Sequence, residues 1–302
     1  MLRPPLPPLS RRRFLATSAA ALGAAALGDA FLREPTAIAV TRHEVPVPGL
    51  APALDGLRVA LVSDVHLHDG VSPAARAALH RLAEEQADVV VLVGDICNEW
   101  SDLSDLAAWA RDARGTLATF ATLGNWEHYA NIDQYTAART YGRAGVELLF
   151  NSTARVARGD GRITFLGLDD PVEGHPDLPA ALSGVPTGEP CVWLVHAPGY
   201  VDRIPRDRVP APSAVLAGHT HGGQIRLPFF TPYLPYGSGR FVEGWYHDTV
   251  GPLYVSRGIG TIVVRARLFC PPELPVFTLR RALPQGTAPG VRLDSARRPS
   301  RH

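Results

Sequence analysis

Five short apolar runs, each broken off by a residue with a ligand-type side chain, constrain this chain more than any other feature. Leu57–Val62 runs into Ser63-Asp64-Val65-His66, Val89–Val93 into Gly94-Asp95, and Leu117–Leu123 into Gly124-Asn125. Later, Cys191–Val195 runs into His196, and Ala214–Ala217 into Gly218-His219-Thr220-His221. Runs of this length and composition fit strands buried on both faces. Helical patterns separate the first three. Ser72-Pro73 opens a helix to about Gln86, with Ser as N-cap, Pro at N1 and Ala75, Leu79, Leu82 and Ala83 at helical spacing. Further helices are expected over Leu103–Ala113 and Ile132–Ala144, with a strand at Val146–Phe150. Alternating strand and helix predicts an α/β fold with a parallel sheet. In such sheets sites form outside the carboxyl ends of the strands. Asp64, Asp95 and Asn125 are therefore expected to meet in space although they are far apart in the chain.

From Ala154 the pattern changes. Ala154–Arg158, a Gly159-Asp160-Gly161 turn and Ile163–Leu168 read as a hairpin. Leu253–Ser256, Ile262–Leu268 and Val276–Leu279 read as closing strands. Leu227–Tyr246, rich in Pro, Gly and aromatics, reads as a long loop whose aromatics either pack within it, the preferred reading, or line a lipid or sugar cleft. No repeat of fixed period is present.

With 302 residues, 46% of them hydrophobic, the chain is long enough for one domain with a large core plus tails. A formal net charge of +1 gives no case for binding nucleic acid. Three cysteines, Cys97, Cys191 and Cys270, are too few and too scattered for a disulfide framework or a Cys-x-x-Cys zinc site.

The N-terminal residues 1–30 read as an export segment. Ser10-Arg11-Arg12-Arg13-Phe14-Leu15 and a following Ala/Leu/Gly stretch form the layout of a twin-arginine signal, which implies the twin-arginine export machinery as a partner. The apolar stretch is shorter than a full span, so a signal fits better than a permanent anchor. Residues 31–55 read as a linker with a first strand around Ala37–Val47, residues 56–281 as the domain, and residues 282–302 as a disordered tail, as are the Pro-rich residues 1–9.

Taken together, the strand-end residues Asp64, His66, Asp95, Asn125, His196, His219 and His221 supply two carboxylates, one amide oxygen and four imidazoles. Mixed nitrogen and oxygen donors suit two divalent metal ions of the Mn, Zn or Fe kind. The number of ligands exceeds what one ion needs, and paired ions of this type clamp the oxygens of a phosphate ester during hydrolysis.

The order Asp-x-His, Gly-Asp, Gly-Asn-x-Glu, a lone His and Gly-His-Thr-His resembles the calcineurin-like metallophosphoesterase superfamily. The resemblance covers about residues 55–281. Gly167-Leu168-Asp169-Asp170, Gly218–Gln224, Ser256–Thr261 and Cys270-Pro271-Pro272-Glu273 resemble its YkuE-like branch, whose members carry twin-arginine signals. The resemblance implies a four-layer α/β/β/α sandwich. It also implies a phosphoesterase hydrolysing a phosphodiester or pyrophosphate bond by attack of a metal-bridging hydroxide. Carried over by position, Asp64, His66, Asp95 and His221 would hold the first ion, and Asp95, Asn125, His196 and His219 the second. The substrate expected is a small-molecule or lipid-linked phosphate ester outside the cytoplasm: in the periplasm, in the cell wall or on the outer face of the membrane.

One departure stands out. The family pattern places His after Gly-Asn, and this chain has Trp126. Trp cannot pass a proton at neutral pH. His128, two positions on, is the preferred replacement donor; His68 is a second candidate; a leaving group that needs no proton is a third solution. The alternative is a metal-stabilised binding protein whose catalysis was lost with that histidine. Asp169-Asp170-Pro171 reads as a structural turn or as a support behind the site residues rather than as a ligand, and Arg257 equally as a phosphate ligand or one half of a salt bridge.

Overall fold

A computed structural model describes residues 10–227 and 229–282. The two tails expected to be disordered lie outside the described residues, apart from Ala282. The chain begins with α1 (Arg11–Gly28), which winds on through a π turn and a 3-10 turn to Thr36 and then enters β1 (Ala39–Pro48). Next come β2 (Arg58–Val62), α2 (Pro73–Glu85), β3 (Val89–Val93), α3 (Leu103–Asp112) and β4 (Ala118–Thr122). They are followed by α4 (Asn125–Tyr129), α5 (Gln134–Arg143) and β5 (Glu147–Leu148). The second half holds β6 (Ser152–Arg158), β7 (Gly161–Gly167), α6 (Leu178–Ser183), β8 (Cys191–Leu194), β9 (Ala214–Ala217), β10 (Gly244–Tyr246), β11 (Leu253–Val255) and β12 (Glu273–Ala282).

Two six-stranded sheets result. The first has the order β1-β12-β2-β3-β4-β5 and the second β10-β11-β9-β8-β7-β6. Strands β2 to β5 are parallel to one another, as are β7, β8, β9 and β11. The last strand, β12, returns to the first sheet, running parallel to β1 and antiparallel to β2.

Each sheet is covered on both faces, which is why its central strands are apolar throughout rather than alternating. In β3, Val90 and Leu92 face α2, α3 and α5, against Leu82, Leu106, Trp109 and Tyr141. Val89, Val91 and Val93 point the other way, into the layer between the sheets with Phe120, Phe165, Val192 and Leu194. A third core, built on Leu166, Trp193 and Val215, is closed by Leu178 of α6 and by Phe241. The fold is thus the expected four-layer α/β/β/α sandwich. Each fully buried valine in β3 contributes about 1.5–3 kcal/mol.

One expected strand is absent. Ile262–Leu268 is an irregular loop in which Val264 N donates to Ile262 O and Ala266 N to Val264 O (2.5 and 2.8 Å), local bonds that replace a ladder. Its β-branched residues face outward, with Val263 and Val264 exposed, while Arg267 is fully buried. The short elements α4, α6 and β10 carry too few residues for a periodic signal. All three cysteines are buried and free.

Candidate metal centre

The parallel strands of both sheets end at one edge of the sandwich. Past those ends, backbone bonds keep the chains together: Asp64 N donates to Gly94 O (3.1 Å), His66 N to Asp95 O (3.0 Å) and Gly218 N to His196 O (3.1 Å). Asp64, His66, Asp95, His219 and His221 all adopt positive φ, between 51° and 71°. Non-glycine residues seldom occupy this region, and such strain collects where function holds it. Here it turns side chains from several strand ends toward one point. Glycines let the segments approach. A Cβ on Gly124 would stand 2.5 Å from Asp95 N and run into Asp95 Oδ1; one on Gly218 would stand 2.5 Å from Asp64 Oδ2.

Six of the seven predicted ligand residues are brought together, and all seven, Asn125 included, are buried. Two triads, Asp64–His66–His221 and Asp95–His196–His219, each place their ligand atoms within 4.8 Å of one another. His66 Nε2 lies 3.1 Å from His221 Nε2 and 3.8 Å from Asp95 Oδ2. His196 Nε2 lies 3.1 Å from Asp95 Oδ2 and 3.3 Å from His219 Nδ1. Asp95 therefore touches both triads. On three of the four imidazoles the other ring nitrogen is tied from behind: His66 Nδ1 to Asn98 Oδ1 (2.7 Å), His196 Nδ1 to Val93 O (2.9 Å) and His219 Nε2 to Tyr236 O (2.7 Å). Donation to those oxygens leaves a lone pair on each inward nitrogen, as in metal-ligating histidines. Asp64 Oδ2 and Asn125 Oδ1 are buried with no hydrogen-bond partner among the described residues. Inward lone pairs, orphaned oxygens and mixed N/O donors are what a divalent cation would satisfy, so the residues present fit such ions.

Charge in the cluster is unevenly held. Burial opposes charge on His196, but Asp95 beside it prevails and raises it well above the usual imidazole range. Burial likewise opposes charge on Asp95, yet His196, His66 and His219 hold it below the usual carboxylate range. Burial drives His219 down to about 4, with His196 adding to the effect. Burial also lowers His221, and His66 adds to that.

The candidate proton donors sit apart from the triads. His128 follows Asn125 by three residues on α4, so the two share a face. Its Nε2 lies 2.7 Å from Asp169 Oδ1, and that hydrogen bond raises His128 above the ordinary imidazole value against the effect of burial. Asp169 is itself held by N–H groups of Asp170 (2.8 Å) and His175 (2.7 Å). The Asp169–Asp170 turn thus does more than close a loop: it orients His128. His68 lies instead among Asp69, Glu99 and Asp102, at 3.5–3.9 Å. Trp126 packs edge-on against His66, with centroids 5.5 Å apart, and its backbone N–H donates to Asp95 Oδ1 (2.9 Å). Arg257 faces Glu243 (3.6 Å) and Glu273 (3.7 Å), the salt-bridge arrangement.

Two supporting residues matter here: Glu127, which closes the Gly-Asn-x-Glu pattern but received no role from the sequence, and Arg267, which was not singled out there. Buried Glu127 accepts N–H bonds from Asp95 (2.9 Å), Ile96 (2.7 Å), Cys97 (3.2 Å) and Gly124 (2.9 Å), pinning the Asp95 loop to the Asn125 turn. Its position as the third helical residue after Gly124, where a carboxylate reaches back to free N–H groups, was the available signal. Buried Arg267 donates to Gly260 O (2.7 Å), Arg257 O (2.9 Å) and Cys270 O (3.1 Å), gathering the loops behind His221.

Comparison with known proteins agrees with this geometry. Residues 57–223 match the family described as calcineurin-like phosphoesterase. The metallophosphoesterase YkuE of Bacillus subtilis is 32% identical over 90% of this chain and 98% of its own length. The phosphodiesterase YaeI of Escherichia coli is 27% identical over 90% of this chain and 99% of its own. A Bos taurus transmembrane protein with a metallophosphoesterase domain is 31% identical over 81% of this chain and 57% of its own.

Proposed function

The chain belongs to the calcineurin-like phosphoesterase family and is a metal-dependent phosphoric ester hydrolase, and from that premise we propose that it cleaves a phosphodiester or pyrophosphate bond in a lipid-linked or cell-envelope molecule. The observation that carries this reading is the buried double triad with Asp95 between its halves. Two divalent cations held there would supply positive charge to polarise a phosphoryl group and acidify water. Asp64, His66, Asp95 and His221 would hold one cation, and Asp95, Asn125, His196 and His219 the other.

The remaining steps fall to the protein. Positive-φ turns and the Glu127 carboxylate fix the ligands before substrate arrives, so little reorganisation is needed. His128, whose hold on its proton is strengthened by Asp169, would supply the proton that an alkoxide leaving group requires. Trp126 walls the His66 side and excludes water there. The twin-arginine layout at the start of α1 supports export by that machinery, with the enzyme in the periplasm, in the cell wall or on the outer face of the membrane.

The test is turnover of bis(p-nitrophenyl) phosphate and of lipid-linked pyrophosphates by full-length protein loaded in turn with Mn, Zn and Fe. Hydrolysis abolished by Asp95→Ala is the expected result. Metal-loaded protein that binds these esters and leaves them intact points instead to the binding-protein alternative.

A further inference from the structure

Beyond that reading, one face of the molecule is built for a different contact. Two loops meet beside His221, one described over residues 225–227 and 229–236 and the other over residues 261–269. They are joined by Arg226 N donating to Leu268 O (2.9 Å), and by Gln224, whose side chain bonds Ile262 N (2.8 Å), Ile262 O (3.0 Å) and Val264 O (2.9 Å). Their outward residues are apolar. Phe229 and Val263 are about fully exposed, at 108% and 97%, and Phe230, Tyr233 and Phe269 more than half so. Phe229, Val263 and Phe269 also adopt positive φ, at 68°, 60° and 52°. For a β-branched or aromatic residue that conformation is costly, so the backbone is strained into presenting apolar side chains to the outside. An apolar hollow of about 400 Å³ lies between the loops, lined in part by Ile225, Tyr233, Ile262 and Val264.

Two further observations identify the occupant. Residues 224–240 and 257–272 contain no Asp or Glu; Arg226, Arg240 and Arg257 pair with acids from neighbouring segments and Arg267 is buried, which leaves exposed Arg265 as the cation of this face, suited to an anionic headgroup. The same loops also receive the end of the N-terminal helix. Arg267 N donates to Ala30 O (2.9 Å), and the N–H groups of Phe269 and Cys270 donate to buried Glu34. Arg11–Thr36 is long and apolar enough to cross a membrane, and α1 buries none of its residues against the domain.

We infer that α1 stays attached as an anchor and that the loops around Phe229, Val263 and Phe269 sit in the interface of the same bilayer, holding the mouth of the metal centre against the membrane. Helix and loops supply two membrane signals where either alone would hold weakly. Arg265, exposed between Val264 and Phe269, meets the phosphates. The face is continuous with His221, so a phosphoester lying at headgroup depth is delivered without leaving the membrane.

The test uses the full chain, with one added cysteine at a time: Phe229→Cys, Val263→Cys, Phe269→Cys and, as a control, Asp160→Cys. Asp160 lies in the β6–β7 turn, at the edge opposite the site. Because Cys97, Cys191 and Cys270 are buried, an environment-sensitive dye labels the added thiol. Phosphatidylethanolamine–phosphatidylglycerol vesicles containing a lipid spin-labelled near its headgroup are then added. The expected result is a blue shift at 229, 263 and 269 and loss of most of that emission to the quencher, with none at 160. Protein that floats with the vesicles while all four probes stay unquenched overturns the proposal, since α1 alone would then be the contact. Protein that fails to float overturns it as well. Turnover of soluble bis(p-nitrophenyl) phosphate is read on the same samples, so failure of docking and failure of the catalytic reading remain distinguishable.

Discussion

Glu127→Gln is the most informative single change. The carboxylate is 1% exposed and accepts four backbone N–H bonds, with Oε1 serving Ile96 and Cys97 and Oε2 serving Asp95 and Gly124. Gln has the same shape but only one acceptor. Whichever way the amide turns, its NH2 group faces two backbone donors and leaves both unpaired in a buried site. A buried donor without a partner costs about 1–3 kcal/mol, so the loss is about 2–6 kcal/mol. That is a large share of the roughly 5–15 kcal/mol by which a domain is stable, yet it leaves a folded protein to study. The loop released carries Asp95, so metal affinity falls as well. Urea unfolding of the metal-free proteins measures the first effect, and competition with a chelator the second. A stability loss below about 1 kcal/mol, with metal affinity unchanged, would refute the claim that Glu127 pins the Asp95 loop.

Further expectations concern the proton donor and the close packing. His128→Gln lowers kcat about 10²–10⁴-fold on a phosphodiester with an alkoxide leaving group, and much less on bis(p-nitrophenyl) phosphate, whose leaving group needs no proton; equal losses on both would count against a donor role. The Asp169 hydrogen bond raises His128, so the imidazolium persists to higher pH than in a free histidine. Asp169→Asn removes that support and shifts the alkaline limb of the kcat profile to lower pH; an unmoved limb shows that another group titrates. Trp126→His changes turnover little if His128 serves, whereas a large gain shows that catalysis lapsed with the missing histidine. Gly124→Ala keeps a φ of −115°, open to alanine, but its methyl displaces the Asp95 carboxylate. Overpacking of this kind costs about 1–3 kcal/mol, and calorimetric titration should show metal affinity weakened while the fold is retained.

The centre of the site was legible because its ligands stand directly after strands buried on both faces. An all-apolar run that stops at Asp64, Asp95 or His196 marks both the strand and its carboxyl end. The supports were harder to see. The pairing of His128 with Asp169 spans two sheets and follows no local period. Glu127 stands in the Gly-Asn-x-Glu pattern, but nothing local shows that its carboxylate reaches the Asp95 loop. Ile262–Leu268 has the composition of a strand, yet Val263 and Val264 face out while Arg267 is buried, an inversion that no hydrophobic pattern announces. The buried attachment of Ala30 and Glu34 was hidden for a similar reason, since the composition of residues 1–30 speaks of export and not of packing.

The central claim is that two cations share the buried cluster through Asp95. Metal content per chain, measured by elemental analysis of full-length protein and of Asp95→Ala and Asn125→Ala, tests it directly. The account expects about two divalent ions in the unaltered chain, as in two-metal sites of this chemistry, close to one in Asn125→Ala, and loss of both in Asp95→Ala, whose carboxylate reaches both triads. One ion in the unaltered chain, or content unchanged by Asp95→Ala, would contradict it.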